Sequence, residues 1–307
     1  MLIPLDSDEY VKVQPLFSVL SETQPMSASV LEGVYPGRVF VDDLAAPRSA
    51  LLVTFIESES SGAWAFLAGD PANQVFNQAL NQAIFERQVI SPQAPIVLWT
   101  CDPQDWGQNM AVVLDPQPPI WIPRYHFIAR QVGYDWRPVL PEGFTVERLG
   151  EGLRQQEGLE LPGDVAATLD KWDEMRRLGY TDRGFMDYGF VTLDMREEKP
   201  VIAGWATVDF IVHGHGDLGF FTQPDYRRQG LGTIAVAAAL EDGFRRGLRQ
   251  VNWTCDAGNP GSIRTAEKLG LERIDDYQMG ILLFDQSQHL ELFRQFHLHE
   301  TGATGKS

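Results

Sequence analysis

The 307-residue chain is predicted to be an α/β (α+β) protein built from two copies of one fold. Three observations carry that expectation. Apolar runs of strand length follow one another early in the chain and alternate with helical periodicity later. The tetrapeptide Trp-Thr-Cys-Asp occurs at 99–102 and again at 253–256, an offset of 154. At nearly that offset, Ala65-Phe66-Leu67-Ala68-Gly69-Asp70-Pro71 lies over Gly219-Phe220-Phe221-Thr222-Gln223-Pro224, and strands ending at Arg130 and Phe284 correspond. A repeat of that length signals a duplicated domain.

Taken in order, 8–20 reads as a helix, with Val11, Leu16, Phe17 and Leu20 on one side. Segments 38–43 and 49–56 are rich in Val, Leu and Phe and read as strands joined by the turn Ala46-Pro47-Arg48. Gly62 precedes a strand at 63–68, and Gly69-Asp70-Pro71 turns the chain into a helix at 72–88, where Phe76, Leu80 and Ile84 recur at spacing four. The apolar run 95–101 reads as a buried strand, and 120–130 as another. Prolines and glycines at 133–143 mark a linker. Beyond it, strands are expected at 144–149, 185–194, 201–212, 217–222, 250–255 and 276–284, with helices at 164–178, 231–246 and 260–269. The domain boundaries that follow are 1–135, a linker at 136–142, 143–299, and a disordered polar tail at 300–307.

Composition excludes several classes. Forty-two acids against 25 bases give a net charge of −17, a field that repels polyphosphate backbones, so no nucleic acid is expected as a partner. No apolar run reaches the length of a membrane span, so no membrane is expected. Residues 1–10 carry acids and no base, the wrong start for a secretory signal. Two cysteines make no disulfide framework, and a cytoplasmic location is expected. Cys101 and Cys255 sit in apolar strands without a nearby His and read as small core residues.

The chemistry concentrates in Phe220-Phe221-Thr222-Gln223-Pro224-Asp225-Tyr226-Arg227-Arg228-Gln229-Gly230-Leu231-Gly232. A strand ends at a proline, a basic turn follows, and a helix begins. Gly230 and Gly232 remove side chains where a backbone must approach a ligand closely. The helix start directs its unsatisfied N–H groups and positive dipole end at that turn, and Arg227 and Arg228 add charge-assisted donors, which together suit a pyrophosphate. The loop is neither a P-loop nor a dinucleotide fingerprint.

This run resembles the acetyl-CoA signature of the GNAT N-acetyltransferase superfamily, Arg/Gln-x-x-Gly-x-Gly/Ala after a strand ending in Pro. Arg227, Gly230 and Gly232 fit it, and the Asn259-Pro-Gly-Ser262…Lys-Leu-Gly270 segment resembles the family's second motif. The resemblance covers roughly 143–285. It implies a tandem of two GNAT-like domains, each a mixed, mostly antiparallel central sheet flanked by helices. It further implies acetyl-CoA as co-substrate, no metal, and direct attack by a primary amine of a small molecule or peptide on the thioester. Phe220, Phe221 and Thr222 would lie along the pantetheine arm. Arg227, Arg228, Gln229, Gly230, Leu231, Gly232 and Thr233 would hold the diphosphate, with Asn259 and Ser262 contributing from the next loop.

The family often carries a Glu base where the coenzyme strand begins. Asp217 occupies that position, with Asp209 on the preceding strand as the alternate. Where many members place a Tyr acid this chain has Ala266, which leaves Tyr226, Tyr277 or water for the role. The run His213-Gly-His215-Gly-Asp217 reads as a reverse turn rather than a metal site. Trp172, Tyr180 and Trp205 are candidates to line the acceptor pocket or ordinary core aromatics. In the first copy Gln74, Asn77 and Ala79 fall where Arg227, Gly230 and Gly232 fall in the second, so that copy is expected to be degenerate and unable to hold a coenzyme. Two other readings are open: a non-catalytic acyl-CoA-binding or regulatory module, and a tandem-GNAT aminoacyl transferase.

Overall fold

The structure is a computed structural model, and it describes residues 2–54, 62–184 and 186–302. In chain order the strands are β1 (Ile3–Leu5), β2 (Gly37–Val41), β3 (Ser49–Thr54), β4 (Ala63–Gly69), β5 (Ile96–Asp102), β6 (Ile120–Ala129), β7 (Phe144–Arg148), β8 (Tyr188–Asp194), β9 (Val201–Val212), β10 (His215–Thr222), β11 (Gln250–Asp256) and β12 (Glu272–Leu283). The helices are α1 (Ser18–Thr23), α2 (Pro25–Leu31), α3 (Gln74–Phe85), α4 (Trp106–Val113), α5 (Glu151–Arg154), α6 (Gly163–Arg177), α7 (Leu231–Arg245), α8 (Pro260–Lys268) and α9 (Gln286–Gly302).

The helix expected at 8–20 is instead a 3-10 turn, Ser7–Lys12, followed by α1. Pro15 lies between them, and a proline inside a helix removes a bond and clashes with the preceding turn. Helices α2, α4, α5 and α9 were not anticipated. The last runs to Gly302, into the stretch expected to be a tail, while 303–307, 55–56 of the second strand and residue 185 of the strand expected at 185–194 lie outside the described residues.

Residues cluster into two compact units, one of Met1–Thr23, Val30–Pro123 and Tyr277–Ser307, the other of Gln24–Ser29 and Arg124–Asp276. The expected linker, 136–142, falls inside the second. In the first unit β1, β2, β3 and β4 pair antiparallel in sequence, β4 pairs β5 in parallel, and β12 pairs β5 antiparallel. In the second unit β7, β8, β9 and β10 pair antiparallel in the same way, β10 pairs β11 in parallel, and β6 pairs β11 antiparallel. The strands of the two units follow one topology, as the repeat predicts. Each sixth strand, however, comes from the other half of the sequence: 277–283 of β12 complete the first sheet and 124–129 of β6 the second.

Each sheet buries an apolar face under a helix. In the first unit Phe76, Leu80 and Ile84 of α3 pack on Leu51, Val53, Ala65 and Leu67. In the second, Ala235, Val236, Ala237, Ala239 and Leu240 of α7 pack on Ala206, Val208, Leu218, Val251 and Trp253. The small residues of α7 bring its axis close to the sheet. Cys101 and Cys255 are both free and buried in these cores.

The parallel pairs differ. In the first unit the β4–β5 ladder runs from Ala63↔Val97 to Ala68↔Asp102. In the second it runs only from His215↔Gln250 to Asp217↔Asn252, and beyond that point β10 and β11 continue without pairing to each other. The irregularity coincides with a bulge on β9, where the register shifts between His215 and Asp217 and Phe210 adopts a φ of 57°. The hairpin at its end turns through His213 and Gly214, with φ of 50° and 76°, so Gly214 serves the expected reverse turn, whereas His215, Gly216 and Asp217 already belong to β10.

Candidate active site

The opening between β10 and β11 leads to a cleft of about 580 Å³ against the starts of α7 and α8. It is lined by Phe220, Phe221, Thr222, Arg227, Arg228, Gly230, Leu231, Gly232, Thr233, Asn259 and Ser262 from the sequence reading. Tyr226, Gly261, Arg264, Thr265 and Lys268 also line it. Gln229 does not; its amide instead donates to the Asp225 carbonyl at 3.4 Å. Among the described residues four cations and no acid line the cleft, in a protein of net charge −17.

Local geometry shows what each glycine does. Gly230 caps α7 with a φ of 82°, a left-handed conformation that glycine enters without strain, and Arg228 two residues earlier also has a positive φ, 66°. Gly232 is required for space instead: a Cβ there would run into the Thr222 hydroxyl and stand 3.2 Å from the Phe220 ring. No side chain caps α7. Its first intrahelical bond is Ile234 N–H to the Gly230 carbonyl at 3.0 Å, so the N–H groups of Leu231, Gly232 and Thr233 have no intrahelical acceptor. They open onto the cleft beside Arg227, whose Nε donates to the Thr222 carbonyl at 3.2 Å. At the start of α8, Asn259 Oδ1 accepts the Ser262 N–H at 3.1 Å, so this side chain caps the helix and keeps its NH₂ as the remaining donor.

The first unit lacks this arrangement. Asn73 caps α3, accepting the Phe76 N–H at 3.1 Å while its amide donates to Asp42 at 2.8 Å. Gln74, Asn77 and Ala79 lie within α3, and Asn77 is buried with its amide on the Pro71 carbonyl. The connection from β4 to α3, residues 70–73, is shorter than the 223–230 connection from β10 to α7. The basic glycine loop is thus missing from the first copy rather than substituted in place.

On the sheet face away from α7, Asp217 stands directly opposite Asp209. Burial, then the Asp209 charge, push the Asp217 carboxyl up to about 7, against the opposing pull of Arg124. Asp209 accepts from Lys171 at 2.9 Å and from the Trp172 indole at 3.4 Å, so Trp172 is a buried core residue. Trp205 lies on the same face and stacks on Phe221, ring centroids 4.8 Å apart, whereas Tyr180 sits in a 3-10 turn, Tyr180–Arg183. His126 Nε2 and Asn252 Oδ1 are 2.9 Å apart, and burial lowers the imidazole's pKa.

The candidate acids fare differently. Ala266 is fully buried in the α7–α8 core. The Tyr226 hydroxyl donates to Asp194 at 3.0 Å; burial first, then that bond, raise its pKa. Tyr277 belongs to the first compact unit. Sequence reasoning missed Arg264 and Lys268, whose spacing of four on α8 was the available signal.

One fold present twice, with one copy opened at its parallel strands beside a cation-lined helix start, defines a tandem of GNAT-type domains. The chain belongs to the GNAT acetyltransferase family, whose profile matches residues 15–279. It is similar to an uncharacterized N-acetyltransferase, YdfB, of Bacillus subtilis (strain 168), at 24% identity over 81% of this chain and 87% of that protein. It is also similar to a mycothiol acetyltransferase of Kytococcus sedentarius, at 26% identity over 58% of this chain and 62% of that protein. In fold it matches a GCN5-related N-acetyltransferase-like protein from Streptococcus suis 89/1591, with a TM-score of 0.61 at 19% identity over 89% and 98% of the two chains. It matches a tandem GNAT protein from the clavulanic acid biosynthesis pathway with a TM-score of 0.58, at 12% identity over 92% and 98%. The protein is an acyltransferase.

Proposed function

We propose that the second copy moves an acetyl group from acetyl-CoA to a primary amine of a small molecule or peptide. The observation that carries this reading is the acid-free cleft, where four cations and the open start of α7 converge. That surroundings suits the phosphates of a coenzyme, and the fully apposed β4–β5 pair with its self-capped helix does not. Both relatives are acetyltransferases by name, which supports acetyl as the cargo.

When bound, the coenzyme supplies an activated thioester. The chain's own residues do the rest. Leu231, Gly232 and Thr233 N–H groups, with Arg227 and Arg228, hold the diphosphate, and Arg264 and Lys268 add positive charge along α8. Main-chain groups of β10 beyond Asp217 that face β11 have no strand partner there and accept an extended chain. Asp217, whose carboxyl is pushed up to about 7, takes the proton of the attacking amine. The C–N bond forms as the thioester C–S bond breaks, releasing the coenzyme as a thiolate that water protonates. Trp205 and Phe221 form an aromatic floor beside it. No described helix is long and apolar enough to cross a membrane, and the free cysteines fit a reducing cytoplasm.

The test is thiol release from acetyl-CoA with a panel of primary amines. Turnover with an amine, abolished by Arg227→Glu with Arg228→Glu, is expected. Coenzyme binding without release on any amine would make the protein a binding module instead.

A further inference from the structure

Asp209 on β9 and Asp217 on β10 are register partners on one sheet face. Helix α6 treats them unequally. Lys171 places its ammonium 2.9 Å from Asp209 Oδ1 and 5.7 Å from the centre of the Phe210 ring, at the β9 bulge. The Trp172 indole N–H reaches the same oxygen at 3.4 Å, and Thr207 and Asp187 also hydrogen-bond Asp209. The charged groups acting on Asp217 are Asp209 and, from β6, Arg124, which is already paired with Asp256 at 2.5 Å. Two neighbouring carboxylates titrate as a pair, and an asymmetric counter-charge decides which one keeps its charge.

We propose that Lys171 is a positioning residue: by pinning Asp209 as the permanent carboxylate of the pair, it leaves Asp217 to take the acceptor's proton. The second half of that statement rests on the reading of Asp217 as the base. Burial opposes the Asp209 charge, yet Lys171, Thr207 and Asp187 together hold its carboxyl below the ordinary range. Burial likewise opposes the Lys171 ammonium, and Asp209 and Asp187 outweigh it, so its pKa is raised. Both partners therefore indicate an ion pair that persists at neutral pH. Other titratable groups on the elements flanking the pair are Asp187 before β8, His215 on β10 itself, and His126 on β6, which is bonded to Asn252 and held toward its neutral form by burial.

The experiment is a carboxyl ¹³C NMR titration of the full-length protein, with signals assigned from Asp187→Asn, Asp209→Asn and Asp217→Asn. In the unaltered protein the Asp217 signal is expected to titrate near neutrality and the Asp209 signal well below it. In Lys171→Met the Asp209 midpoint should rise by about one pH unit or more, with the two signals titrating in coupled steps, and Lys171→Arg should restore the original behaviour. An unmoved Asp209 midpoint in a folded Lys171→Met protein overturns the pinning. Should that variant fail to fold, Asp209→Asn decides: a fall in the Asp217 midpoint supports the proposal and an unmoved one overturns it. The titration needs no coenzyme, so its failure leaves the acyl-transfer reading standing. An Asp217→Asn protein that acetylates amines with an unchanged pH profile removes the base reading and, with it, the functional half of the proposal.

Discussion

At the residue scale the site is made by what individual positions give up. Asp217 is destabilising where it sits, because burial and Asp209 disfavour its charge. Its folded pKa, about 7, exceeds the ordinary 3.8, so the folded state binds more protons than the unfolded chain between those values, and stability falls as pH rises through that window. Asp217→Asn should therefore raise the melting temperature, most at pH 8 and hardly at all near pH 4, while removing the rise of kcat/KM through neutrality. Thermal melts at the two pH values, with a pH–rate profile, check both halves. Gly232→Ala should weaken coenzyme binding by roughly tenfold or more, about 1.4 kcal/mol, since its methyl meets Thr222 and Phe220 and shifts the start of α7; isothermal titration reads it. That both glycines and both arginines line the cleft was legible, because the sequence puts two positions without side chains and two fixed positive charges at a helix start. The inequality between Asp209 and Asp217 was not, because it depends on Lys171 of α6, whose approach to the sheet no local pattern encodes.

At the scale of elements, the contrast between α7 and α3 is the main result. The same helix packs on the same sheet in both copies, but one start is left open and the other is closed by Asn73. Asn73→Ala should cost about 1 kcal/mol in denaturant unfolding and leave coenzyme affinity unchanged. An effect of equal size on both would contradict the division of labour between the two starts. Most elements were legible from periodicity and turn residues, including α8 with Pro260 in its first turn. Those missed were short or interrupted, apart from α9, a 17-residue helix whose apolar residues are sparse among polar ones. Helix α4 spans only Trp106–Val113, and Pro15 divides what apolar spacing alone reads as one helix. Arg264 and Lys268 were overlooked because cations on an amphipathic helix look like a solvated face until the facing element is known.

At the scale of the whole molecule, the 154-residue repeat is expressed as two strand sets of one topology, each completed by a strand from the other half of the sequence. The exchange was invisible in the sequence for a definite reason. The receiving strands β5 and β11 share Trp-Thr-Cys-Asp, and the donated strands end at matching positions, so own and exchanged pairings carry nearly the same code. A fragment covering 143–299 lacks 124–129 and leaves the β11 edge without its native partner, so it should self-associate on size-exclusion chromatography. A monomeric, coenzyme-binding 143–299 fragment would show that the exchange is dispensable.

The most direct measurement is the stoichiometry and affinity of acetyl-CoA for the intact chain by isothermal titration calorimetry. One site per chain is predicted, lost in Gly230→Trp and in Arg227→Glu with Arg228→Glu, and retained in Asn73→Ala. Two sites per chain, or an affinity that survives both changes in the basic loop, would contradict the assignment of the phosphate cradle to the start of α7.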